Sequence, residues 1–87
     1  MALMQDNDRL ARLLLDFFNL PPETQPRDIK QTAIASWDSL AMVQLIADLQ
    51  GTFSVEFDLE EIEVLRSYEE IRYALSKKGV SLNDATA

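Results

Sequence analysis

Apolar residues recur along this chain at helical spacing. Leu10, Leu13, Leu14, Phe17 and Phe18 fall on one helical face, with Arg9, Arg12 and Asp16 elsewhere on the wheel. The pattern predicts a first helix over about residues 7–19, capped by Asp6, Asn7 or Asp8 and ended by Pro21-Pro22. From 21 to 37 no period is sustained, and a connection this long in a small domain signals function or disorder. Ile29, Ile34 and Trp37 are the residues able to pin it to a core, and a short helical turn fits around 27–31. A second helix should run from Ser39 to about Gln50, with Leu45, Ile46, Leu49 and Phe53 as its core stripe and Leu40 and Val43 flanking it. Val43 reads as core, and Gly51 should end or fray this helix, being unfavourable inside one by about 1 kcal/mol. Residues 53–57 alternate apolar and polar like a strand but have no partner run. They therefore read as an extended link that turns Phe53, Val55 and Phe57 inward. Asp58-Leu59-Glu60-Glu61 resembles a capping box and opens a short third helix over about 59–65, with Ile62 and Leu65 inward. Ser67-Tyr68-Glu69-Glu70 is the better box and opens a fourth helix over about 68–78, with Tyr68, Ile71 and Leu75 on one face and Gly79 just past its end. The expected fold is all-α: three main helices plus a short one, with a long loop between the first two. Residues 1–79 form one domain and 80–87 a loosely ordered tail.

Composition narrows what such a domain can do. Eighty-seven residues allow one small core and no deep catalytic cleft beside it. The absence of histidine and cysteine removes Ser-His and Cys-His catalysis, most zinc sites and any disulfide. Neither a catalytic group nor a metal site is expected. No apolar run approaches the ~20 residues of a membrane span, and residues 1–8 lack the basic start and apolar stretch of a secretory signal. The expectation is a cytoplasmic monomer with no membrane insertion. The net charge of −7 is concentrated between residues 39 and 75, which hold eight acids against two bases. That field repels nucleic acid and favours partners with basic surfaces.

One stretch stands out. Ser36-Trp37-Asp38-Ser39-Leu40 closes the long connection and opens the most apolar helix. A serine at a helix start is an ordinary cap, yet unpartnered N–H groups and the positive end of the helix dipole also favour an anion there. Asp38-Ser39-Leu40 in this position resembles the prosthetic-group site of acyl carrier proteins and the related peptidyl and D-alanyl carriers. The similarity runs without gaps over about 36–75, and loosely over the first helix. It implies an acyl-carrier-protein-like fold. Ser39 would carry phosphopantetheine, taken from coenzyme A, whose thiol holds an acyl or aminoacyl group as a thioester. Asp38 matches the acid before the serine, and Leu40 an exposed docking leucine. Val43 sits where the mouth of a cargo pocket would be. Glu56, Asp58, Glu60 and Glu61, with Glu63, match the family's acidic stretch. The implied partners are a phosphopantetheinyl transferase, an acyl- or aminoacyl-loading enzyme and downstream acyl-processing enzymes with basic docking surfaces. The implied setting is fatty acid, polyketide or nonribosomal peptide biosynthesis.

The sequence also departs from that family. Where carriers of bacterial fatty-acid synthesis show acids along the second helix, this chain has Ala41, Gln44, Gln50 and Gly51, with only Asp48 acidic. Trp37 replaces a small residue, a variety more familiar in stand-alone carriers of specialised pathways. Trp37 itself reads first as a loop anchor. The alternative is a small acidic helical protein-interaction domain without prosthetic group. A hydrolase built on Ser39 and Asp38 lacks any proton-shuttling base, since Lys30, Lys77 and Lys78 lie in the connection or near the far end of the chain.

Overall fold

In a computed structural model, residues 8–80 are described and the regular elements among them are all helical. They are α1 (Arg9–Phe17), α2 (Ser39–Phe53), α3 (Leu59–Glu63) and α4 (Tyr68–Lys77), with a 3₁₀ turn at Pro26–Asp28. This is the expected small helical bundle. The candidate caps Asp6 and Asn7, and residues 81–87 of the expected tail, lie outside the described residues. No helix among the described residues is long and apolar enough to cross a membrane.

The helices begin and end for local reasons. Asp8 caps α1 by accepting the Ala11 N–H at 3.0 Å. The helix stops when Asn19 takes a left-handed conformation, φ 55°, letting the Leu20 N–H reach the Leu15 carbonyl at 2.8 Å. Its end thus precedes the two prolines. Gly79, φ 82°, does the same for α4, with Val80 N–H donating to the Leu75 carbonyl and Gly79 N–H to that of Ser76.

Two expected details change. Gly51 does not end α2, which continues to Phe53. Burying the Phe53 ring is worth about 2–3 kcal/mol, more than the ~1 kcal/mol that glycine costs in a helix. The Arg9 guanidinium also covers that ring, 4.9 Å from its centroid. The left-handed residue that does end α2 is Ser54, φ 57°, and the Gln50 side-chain oxygen accepts the Phe57 N–H beyond it. Second, the reciprocal capping box forms at Asp58/Glu61 and not at Ser67/Glu70. Ser67 does accept the Glu70 N–H, but the Glu70 carboxylate takes the Arg66 N–H. Backbone bonds on either side hold Ser67 extended: Gln31 N–H to the Arg66 carbonyl and Tyr68 N–H to that of Ile29, both 2.8 Å.

That pair of bonds also organises the connection between α1 and α2. Far from lacking structure, it has the 3₁₀ turn and a single antiparallel bridge, Lys30 with Ser67. Ile29, Ile34 and Trp37 are buried, as their isolation in a polar stretch implied. They join one core with Leu10, Leu14, Phe18, Leu45, Leu49, Leu65, Ile71 and Leu75. Trp37 stacks on Phe18, centroids 4.9 Å apart, and its indole N–H donates to the Met42 sulfur at 3.3 Å. This places the indole as the anchor that ends the connection and starts α2. At the other side of the core, the Tyr68 hydroxyl donates to the Asp8 carboxylate, tying the start of α4 to the start of α1. Burial, and then that bond to a carboxylate, push the Tyr68 phenol well above its ordinary pKa.

Candidate functional site

The site is built on the anchored start of α2. With Trp37 held in the core, the next residue must leave it, and Asp38 turns extended to cap the helix, accepting the Ala41 N–H at 2.9 Å. Ser39 is then the first residue of the helix, and its side chain is exposed. Three features make this start suit an added anion. The backbone N–H groups of Ser39 and Leu40 have no partner among the described residues. The helix has no acidic residue in its first turn. At fifteen residues it is the longest among those described, so its N-terminal partial positive charge is fully developed.

A groove of about 370 Å³ opens beside the hydroxyl, lined by Gln31, Ser39, Met42, Ile62, Glu63, Leu65 and Arg66. Its walls come from three separate stretches: the connection, the first turn of α2, and the end of α3 with the link that follows it. No sequence signal marked Gln31 or Arg66 as neighbours of Ser39: the bonds between residues 29–31 and 66–68 bring them together, and the Gln31 side-chain amide donates to the Trp37 carbonyl at 3.3 Å. A larger hollow, about 580 Å³, lies between α3 and α4 and is lined by Val64, Tyr73 and Lys77 among others, but it does not include Ser39.

The apolar residues next to Ser39 point outward. Leu40 is 67% exposed and Val43 68%. The expectation that Val43 belongs to the core is therefore corrected. It lies about one turn along from Ser39, beside the buried stripe of Leu45, Ile46, Leu49 and Phe53 and not within it. Sequence periodicity could not separate them, because α2 carries apolar residues around most of its circumference. Leu59, Val64 and Tyr73 are also largely exposed, which no pattern along the chain marks.

The acidic stretch divides in two. Glu56 and Glu60 are exposed and their side chains bond no described residue, Glu60 lying in the first turn of α3. Asp58 and Glu61 are structural. Their side chains accept each other's N–H, at 2.8 and 2.9 Å, and the Glu61 carboxylate pairs with the Lys78 ammonium at 2.8 Å. The Lys78 hydrogen bond, then the Asp58 N–H, hold the Glu61 pKa below its ordinary value of 4.5. Lys78 also lies 5.2 Å from the centre of the Phe57 ring. It thus reaches back to α3, a role its place near the end of α4 did not reveal. No known protein family matches this chain, and no curated protein is significantly similar to it.

Proposed function

We propose that this protein is a carrier: Ser39 bears a phosphopantetheine arm, and the domain presents an acyl or aminoacyl group to biosynthetic enzymes. The observation that carries the reading is the exposed Ser39 hydroxyl, at the head of a long helix whose first N–H donors have no partner among the described residues and whose first turn has no acid. It stands where the resemblance of Asp38-Ser39-Leu40 to acyl carrier proteins puts the attachment point.

The residues present fit such a group. In the loading step a bond forms between Ser39 Oγ and the phosphorus of coenzyme A that carries pantetheine. The pyrophosphate bond breaks, adenosine bisphosphate leaves, and the hydroxyl proton passes to a base on the transferase. The product phosphodiester carries one negative charge, which a helix N-terminus favours. The arm supplies the thiol that the chain's own composition lacks. The protein's part is to hold the arm at an open edge and to be recognised. Leu40 and Val43 offer an apolar contact beside the arm, and Glu56 and Glu60 offer charge to basic partner surfaces. A contact of that size and polarity is released easily, as repeated handover requires.

The test is direct. A promiscuous phosphopantetheinyl transferase with coenzyme A should add one arm to the wild type and none to Ser39→Ala, read by intact-protein mass spectrometry. Addition to both variants would move the site elsewhere. Addition to neither would leave the small acidic interaction domain as the better reading.

A further inference from the structure

Resting on that reading, we infer that Arg66 binds the phosphodiester of the arm on Ser39. The two residues line the same groove, and Arg66 is the one cation among the residues that line it. Its backbone is fixed on both sides. The N–H donates to the Glu70 carboxylate at 3.0 Å, and the carbonyl accepts the Gln31 N–H at 2.8 Å. The side chain is fixed at one point only, where Nε donates to the Glu63 carbonyl at 3.0 Å. Its terminal nitrogens make no ion pair with a described residue. A guanidinium held by Nε still offers a planar edge of donors, the geometry that suits a phosphate.

The surroundings give this cation a task. Residues 39–75 carry two bases against eight acids. A phosphodiester on Ser39 adds a negative charge close to Asp38 and across the groove from Glu63. The open N–H groups of the α2 start offset part of that repulsion, and a nearby cation offsets more. The other base of the segment, Arg72, lies on α4 and does not line the groove. The remaining walls suit the arm as well. Met42 and Ile62 offer apolar surface to its branched hydrocarbon, and Gln31, whose amide nitrogen donates to the Trp37 carbonyl at 3.3 Å, offers its amide oxygen to the arm's N–H groups.

The experiment compares apo and arm-bearing forms of the wild type, Arg66→Gln, Arg66→Lys and Arg72→Gln. Mass spectrometry first establishes whether the arm is on. Melting temperature and the phosphorus NMR shift of the phosphodiester are then read at low and high salt. In the wild type the arm should leave the melting temperature unchanged or raise it. In Arg66→Gln it should lower it by about 2 °C at low salt, an effect that fades at high salt. The phosphorus resonance should move in Arg66→Gln, move less in Arg66→Lys and stay in place in Arg72→Gln. Equal apo-to-loaded differences in the wild type and Arg66→Gln, or an equal effect of Arg72→Gln, would overturn the role of Arg66 and leave the carrier reading intact. Failure of the wild type to take an arm would sink both.

Discussion

The starts of α2 and α3 are built from the same letter and do opposite things. Each is capped by an aspartate that accepts the N–H three residues on, Asp38 from Ala41 and Asp58 from Glu61. The difference is the third residue. At α3 it is a glutamate, which returns a bond to the cap, pairs with Lys78 and brings a negative charge to the positive end of the helix. At α2 it is an alanine, which returns nothing. One start is complete in itself. The other has a cap but no first-turn charge, an exposed hydroxyl and a groove beside it. The lesson is that a capped helix start keeps room for an external anion when the chain adds no second carboxylate in the first turn.

This contrast can be broken or sharpened by mutation. The largest effect should come from removing the anchor that gives α2 its start. Trp37→Ala should cost about 3–5 kcal/mol in a denaturant unfolding measurement, because the indole is buried and stacked on Phe18. If the loss is small, the start of α2 is not held by the core. Next, the two caps can be compared as a pair. Asp58→Ala and Asp38→Ala should each cost about 1 kcal/mol, with Asp58→Ala the costlier because two reciprocal bonds go together. Only Asp38→Ala should slow addition of the arm. Equal slowing by both would erase the distinction between the two starts.

A smaller, pH-dependent effect is expected from Glu61→Gln. The carboxylate has a depressed pKa in the folded state, so it contributes stability above its ordinary value of 4.5. That contribution is lost as the pH falls through the folded-state value. Wild type and Glu61→Gln should therefore differ at neutral pH and low salt, and converge on acidification. A constant difference across the range would show that shape, not charge, makes the α3 start complete. The smallest effect should be that of Ser39→Ala on folding: the exposed side chain makes no hydrogen bond among the described residues, so unfolding free energy should stay within about 0.5 kcal/mol. A larger loss would make Ser39 a structural cap and weaken its availability.

Much of this molecule is legible along the chain. Periodicity marks the first two helices and capping boxes the last two, and the isolated apolar residues of a polar stretch, Ile29, Ile34 and Trp37, mark how the connection is pinned. Asp58 and Ser67 announce their caps, because capping depends on residues a few positions apart, whereas for α1 the sequence offers Asp6, Asn7 and Asp8 alike and the structure uses Asp8. The end of α2 was not legible: whether Gly51 breaks a helix depends on whether Phe53 two residues later gains enough by burial. The exposure of Val43 was hidden for a related reason, since a helix apolar around most of its circumference does not say which side meets the core.

By itself, then, the sequence determined the helices, their caps and the position of one serine at a helix start, all matters of spacing within a turn or two. The tertiary structure alone decided that Gln31 and Arg66 stand beside that serine, that Lys78 completes the α3 start and that Val43 faces outward. These depend on which surfaces meet when residues tens of positions apart are packed, and no local pattern encodes that, because burial free energy rewards total apolar area and not any particular neighbour.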